Sequence, residues 1–126
     1  MKKFIPVNTP LVDGNEKKYI QECIDTGWVS SEGPFVSEFE KKFAGIVERK
    51  HAVSVTNGST ALETAVTVLD IQKGDEVITT AHSALATVAS IISVGAKPVI
   101  VDIEKDFYTI DPNEIKKSIT KKTKAI

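Results

Sequence analysis

From residue 51 onward, short apolar runs alternate with segments of helical period, and this alternation restricts the fold more than any other feature of the chain. His51-Ala52-Val53-Ser54-Val55, Glu76-Val77-Ile78-Thr79 and Pro98-Val99-Ile100-Val101-Asp102-Ile103 read as short buried strands. Thr60 to about Leu69 and Ser83 to about Val94 read as helices, with Lys73-Gly74-Asp75 as a turn and Gly95 as a stop. Asp111-Pro112-Asn113 starts a short helix to about Ile119, because aspartate caps exposed amides and proline suits the first helical position. Lys124-Ala125-Ile126 opens another strand. Strands joined through helices make parallel connections, so the expectation is an α/β layer with a mostly parallel sheet and helices on both faces.

Before residue 51 the texture is different. An extended opening, Phe4 to Leu11 with Pro6 and Pro10, leads to Asp13-Gly14-Asn15, where Asn15 is positioned to cap a helix running to about Thr26. Tyr19, Ile20, Cys23 and Ile24 share one face of it, and Gly27 ends it. Trp28-Val29-Ser30-Ser31-Glu32-Gly33-Pro34 is a loop, followed by a helix from about Val36 to Val47 striped by Phe39, Phe43 and Ile46. Residues 1–50 are thus expected to form a helical lead-in and residues 51–126 the first part of a layered domain. No internal repeat, low-complexity tract or Gly/Ser linker interrupts them.

Several function classes are disfavoured by charge and composition. A net charge of -1, with 16 basic and 17 acidic residues spread along the chain, gives no field for nucleic acid or anionic lipid. Hydrophobic residues at 41% and charged residues at 26% are globular values, and 126 residues suffice for one real core. Cys23 is the single cysteine, which rules out an intrachain disulfide and a thiolate zinc cluster and leaves it as a small core residue of the first helix. Met1-Lys2-Lys3-Phe4-Ile5-Pro6 lacks the apolar run of a signal peptide and no window reaches membrane-spanning length, so the cytoplasm is the expected compartment.

The sharpest chemical feature is Thr56-Asn57-Gly58-Ser59-Thr60-Ala61 between a strand pattern and a helix pattern. Glycine permits close backbone approach, and amides at a helix start, with the Ser59 and Thr60 hydroxyls, form a cup for a phosphate. The same residues suit plain helix capping, with Glu63 three positions beyond Thr60 as a capping-box partner, and both readings stand at this point. Neither Gly-x-Gly-x-x-Gly nor Gly-x-x-x-x-Gly-Lys-Ser/Thr occurs, which argues against dinucleotide and P-loop chemistry. His51 and His82 lack neighbouring ligands for a metal site. His82 follows a strand, where ligands bind in parallel sheets, although a solvated loop histidine is the plainer reading. Asp102 is either a crevice carboxylate or a turn former. No lysine follows a strand in the apolar setting that lowers its pKa toward Schiff-base use.

These words stand in a known order. Ile5-Pro6-Val7, Gly14-Asn15-Glu16, Cys23-Ile24-Asp25-Thr26-Gly27-Trp28-Val29-Ser30-Ser31, Gly33-Pro34-Phe35-Val36 and Phe39-Glu40 are followed by His51-Ala52-Val53, Asn57-Gly58-Ser59 and Ala61-Leu62. Gly74-Asp75-Glu76-Val77-Ile78, Gly95-Ala96, Pro98-Val99, Val101-Asp102-Ile103, Ile110-Asp111-Pro112 and Thr123-Lys124-Ala125-Ile126 complete the series. Together they resemble the DegT/StrS family of nucleotide-sugar aminotransferases, closest to its perosamine-synthetase-like members, over essentially the whole chain. The resemblance implies part of the large domain of the aspartate-aminotransferase-like (type I) fold and the cofactor pyridoxal 5'-phosphate (PLP). It also implies amino transfer from glutamate to a nucleotide-linked keto sugar in amino-sugar and surface polysaccharide biosynthesis, usually by a homodimer.

Carried over by position, the resemblance implies that Gly58, Ser59 and Thr60 hold the cofactor phosphate, which raises the cup reading above the capping one. It places the loop carrying Trp28, Ser30, Ser31 and Gly33 at the sugar. Where most members stack an aromatic residue on the pyridine ring, this chain has Ala84, so His82 or Leu85 is expected to cover the ring instead. The family's Schiff-base lysine and the aspartate paired with the pyridine nitrogen lie beyond Ile126. The 126 residues alone are therefore expected to be inactive, with uncovered sheet edges and apolar faces, and to need a partner or a complementing C-terminal segment. Two alternatives remain at this point: a PLP-dependent sugar dehydratase of the same family, and a non-catalytic α/β module that binds phosphate or assembles with a partner.

Overall fold

Helix α1 spans Glu16–Thr26 in the computed structural model, which describes residues 4–126. The Met1-Lys2-Lys3 flank lies outside the described residues. Gly27 ends α1 in the left-handed region, with φ 77, where glycine lacks the Cβ that makes this conformation costly. Asn15 occupies the N-cap position, but its side chain makes no capping bond. Instead the Glu16 carboxylate reaches back to accept from the Gly14 N–H at 2.9 Å. Helix α2 spans Pro34–Ile46, starting before the expected Val36 because the fixed φ of Pro34 suits the first turn.

The chain divides into one unit ending at Ser54 and a second covering Val55–Ile126. In the first unit, Tyr19 and Phe35 meet edge to face at 5.0 Å, and Phe39 stacks near Phe43 at 5.7 Å. Between α1 and α2 lies an open apolar groove of about 460 Å³, lined in part by Ile20, Cys23, Ile24 and Phe39. Cys23 is half-buried on this groove and so is not the core residue the sequence suggested, because α1 has no fully buried face.

The second unit runs α3 (Gly58–Val68), β1 (Glu76–Thr80), α4 (Leu85–Ser93), β2 (Lys97–Val101), α5 (Pro112–Ser118) and β3 (Thr123–Ala125). The sheet order is β2-β1-β3, with both pairings parallel. Parallel neighbours require crossover connections, which α4 and α5 supply. Central β1 buries Val77 and Ile78, and Val77 joins Ile71, Ile91 and Ala96 in the core, with Val66, Val94 and Ala125 packed against it. Helix α3 packs on α4, and α4 contacts β1 and β2.

Two strand expectations are corrected. His51–Val55 is not a strand, because this segment has no ladder partner among the described residues. It is tied instead by the Ser54 N–H and hydroxyl, both donating to Glu40 Oε1 at 2.8 and 3.0 Å. Strand β2 ends at Val101, short of the expected Ile103, because Asp102 Oδ1 accepts from the next amide at 2.8 Å and turns the chain. Similarly, α4 begins at Leu85 and not Ser83, since Ala84 is still extended with ψ 148.

Candidate functional site

The turn into α3 is exposed from Thr56 to Ser59, and Thr60 is half-buried. Asn57 is its organiser, extended at φ -165 and ψ 172. Its Oδ1 accepts from the Thr60 N–H at 3.0 Å and from the Thr60 hydroxyl at 3.3 Å, and its carbonyl accepts from the Ala61 N–H at 3.1 Å. The cap is thus Asn57, not Ser59 or Thr60, and the Thr60–Glu63 capping box does not form because Thr60 is already inside the helix. The first amides of a helix have no intrahelical acceptor, so those of Gly58 and Ser59 remain available for an anion, next to the Ser59 hydroxyl. A Cβ placed on Gly58 would meet nothing within 4 Å, which leaves open space at the turn.

His82 and Ala84 lie in the loop between β1 and α4. The His82 N–H donates to Thr80 Oγ1 at 3.1 Å, fixing the backbone as it leaves the strand. The imidazole is exposed and faces the Tyr108 ring at 6.0 Å between centroids, tilted by 37°. The Ser83 and Thr87 hydroxyls share a bond of 2.7 Å across the start of α4. Ala84 and Leu85 are exposed. Asp102 is also exposed, and its bond to the Ile103 amide accounts for it as a turn former.

The Trp28–Gly33 loop belongs to the first unit. Trp28 is 48% exposed, Ser30 and Ser31 are exposed, and Gly33 is buried beneath Trp28, whose Cβ a glycine Cβ would meet at 3.4 Å. Two residues that sequence reasoning did not single out belong with the candidates. Asn57 was readable, since asparagine before a glycine and a helical run is a cap signal. Tyr108 was not, because only folding brings it to His82.

Electrostatics sharpen one structural cluster. Glu76 is buried, accepting from the Thr120 hydroxyl at 2.7 Å and from the Lys97 ammonium at 3.1 Å. The Thr120 bond first, then the Lys97 bond, hold its carboxyl below the usual glutamate range against the opposing effect of desolvation. Glu76 starts β1, whereas His82 follows the other end of that strand, so this cluster braces the sheet. Lys42 and Lys117 are raised by hydrogen bonds to Glu38 and Glu114, the direction opposite to what a Schiff-base lysine needs. Among the described residues no group of three or more His, Cys, Asp or Glu is placed to hold a metal, and no helix is long and apolar enough to cross a membrane.

The model of the DegT/DnrJ/EryC1/StrS aminotransferase family matches residues 10–126. The chain belongs to that family. The GDP-perosamine synthase of Vibrio cholerae is 45% identical over 123 residues, covering 98% of this chain and 34% of that protein. The spore coat polysaccharide biosynthesis protein SpsC of Bacillus subtilis is 40% identical over 123 residues, covering 98% and 31%. The Escherichia coli GDP-4-keto-6-deoxy-D-mannose-3-dehydratase with bound hydrated PLP superposes with a TM-score of 0.82 at 31% identity, covering 94% of this chain and 32% of that one. The chain therefore spans about a third of the length of the relatives it matches. Its parallel α/β unit corresponds to part of the type I PLP-dependent fold, and PLP is the family's cofactor.

Proposed function

We propose that the Asn57–Thr60 turn seats the phosphate of PLP, and that the longer protein typified by these relatives moves an amino group from glutamate to a nucleotide-linked keto sugar for polysaccharide synthesis. The observation that carries this reading is the exposed start of α3, where Asn57 takes up the Thr60 amide and leaves those of Gly58 and Ser59 to an anion. These residues fit the phosphate: two amides at the positive end of an eleven-residue helix, one hydroxyl, and no side chain filling the space before Gly58.

Gly58 and Ser59 would donate to phosphate oxygens, while Thr60 keeps Asn57 in place. His82 would lie against the pyridine ring, with Ala84 leaving the space an aromatic side chain would take. Trp28 would offer an apolar face to a sugar, Ser30 and Ser31 hydroxyls to exchange hydrogen bonds with it, and Gly33 the tight packing that holds the loop. When bound, the cofactor supplies an electron sink that none of these side chains provides. Residues up to about 50 as a helical segment before the cofactor-binding layer, a cytoplasmic location and assembly as a homodimer or with a complementing segment belong to the same proposal.

Titration of the isotope-labelled chain with pyridoxamine 5'-phosphate, followed by amide NMR, tests it. This form avoids reaction with surface lysines. Shifts concentrated at Gly58 and Ser59, absent with unphosphorylated pyridoxamine, are expected; equal responses to both compounds would count against the seat. The similarity to the dehydratase favours one second reading, loss of a sugar hydroxyl in place of amination. With labelled glutamate and the longer protein, label in the product sugar supports amino transfer, and an unlabelled deoxy product supports the dehydratase.

A further inference from the structure

The segment between β2 and α5 closes on itself through its backbone. Glu104 N–H donates to the Thr109 carbonyl at 2.8 Å, Tyr108 N–H to the Glu104 carbonyl at 3.0 Å, and Asp111 N–H to the Asp102 carbonyl at 3.1 Å. Ile103 and Ile110 form an antiparallel bridge inside the same closure. Within it Tyr108 has φ 58, the left-handed region that a bulky aromatic residue rarely adopts. Such a conformation persists only where its surroundings determine it, and it is found disproportionately where ligands bind. Burial of the ring does not account for it, because Tyr108 is 64% exposed. What the ring does meet is the His82 imidazole, at the separation of an interacting aromatic pair.

We propose that Tyr108 is a positioning residue for His82, holding the imidazole where it can cover a flat ligand ring beyond the C-terminal end of β1. This rests on the assignment of His82 to the cofactor ring given above. An exposed histidine on a loop samples several rotamers, and ordering it on binding costs free energy that a neighbouring ring has already removed. The closed backbone of residues 103–110 fixes the point from which the Tyr108 ring reaches His82.

The test uses the 126-residue chain with Tyr108→Phe, Tyr108→Ala and Tyr108→Gly. Glycine adopts the left-handed conformation freely, so Tyr108→Gly removes the ring without straining the loop. Without ligand, three-bond couplings of His82 should report one χ1 rotamer in the parent and in Tyr108→Phe, and an average over rotamers in Tyr108→Ala and Tyr108→Gly. With pyridoxamine 5'-phosphate, the shifts of the His82 ring protons should fall at least about threefold in the two ringless variants while the Gly58 and Ser59 amides still respond. Unchanged couplings and unchanged ring-proton shifts in both ringless variants would overturn the positioning role. If the parent's Gly58 and Ser59 amides are silent, the cofactor seat fails, but the couplings measured without ligand still decide whether Tyr108 positions His82.

Discussion

Asn57 does two things that a substitution separates. Its Oδ1 caps α3 by taking up the Thr60 amide, and this leaves the amides of Gly58 and Ser59, the two residues after it, without a partner in the cap. Aspartate caps as well as asparagine does, so Asn57→Asp should keep the melting temperature, while its charge repels a phosphate at the same turn. Pyridoxamine 5'-phosphate binding should weaken by roughly threefold to tenfold, the scale of about 1 kcal/mol for an exposed charge interaction. A melt combined with the amide titration checks both halves.

Glu76 gives a pH signature. Its folded pKa lies below the ordinary glutamate value, so the stability it adds is present above that ordinary value, about 4.3, and is lost as pH falls through the lowered folded value. Glu76→Gln should therefore melt below the parent at neutral pH, and the two curves should converge on acidification below about pH 4.3. Parallel curves across that range would show that the Thr120 and Lys97 contacts do not favour the charged form.

At the scale of elements, helix ends were the most readable features. Gly27 after α1 and Gly95 after α4 have φ of 77 and 76, and the sequence marks both as helix stops. They differ in what lies beyond the backbone. A Cβ on Gly27 would meet nothing within 4 Å, whereas one on Gly95 would meet Lys73 Cβ at 3.3 Å. Gly27→Ala should cost about 1–2 kcal/mol from backbone strain alone, and Gly95→Ala should cost more, because the turn before β1 must also shift. Urea denaturation of the two variants gives the comparison directly. Asp111 and Pro112 were equally plain, and the Asp111 carboxylate accepts from the Asn113 N–H at 2.7 Å as an N-cap should. The strand ends were less plain, since Asp102 stops β2 through a side-chain bond that hydrophobic patterning does not register.

Across the whole molecule, burial is unequally divided. In the second unit β1 is buried along most of its length and Ile78 is 1% exposed. In the first, Ala44 is the one buried residue of the two helices, while Ile20, Ile24, Phe39, Phe43 and Ile46 stay exposed. Ile78→Ala should cost about 2–5 kcal/mol, a large part of the stability of a domain this size. Hydrogen exchange should be slowest at β1 amides and fast throughout α1. Comparable protection in α1 and β1 would contradict this division.

By itself the sequence determined what depends on near neighbours: helix periods and caps, the glycines at left-handed positions, strand-helix alternation, and the ordered motifs that carry the family. Only the tertiary structure decided which segment joins the sheet, that β3 pairs with β1, and that Tyr108 meets His82. The reason is that capping and turn energies are settled within a few residues, whereas edge occupancy and ring contact depend on groups distant in the chain. His51–Val55 shows this: its β-branched pattern suits a strand, but a strand needs a partner distant in the chain to pair with, and this segment has none among the described residues.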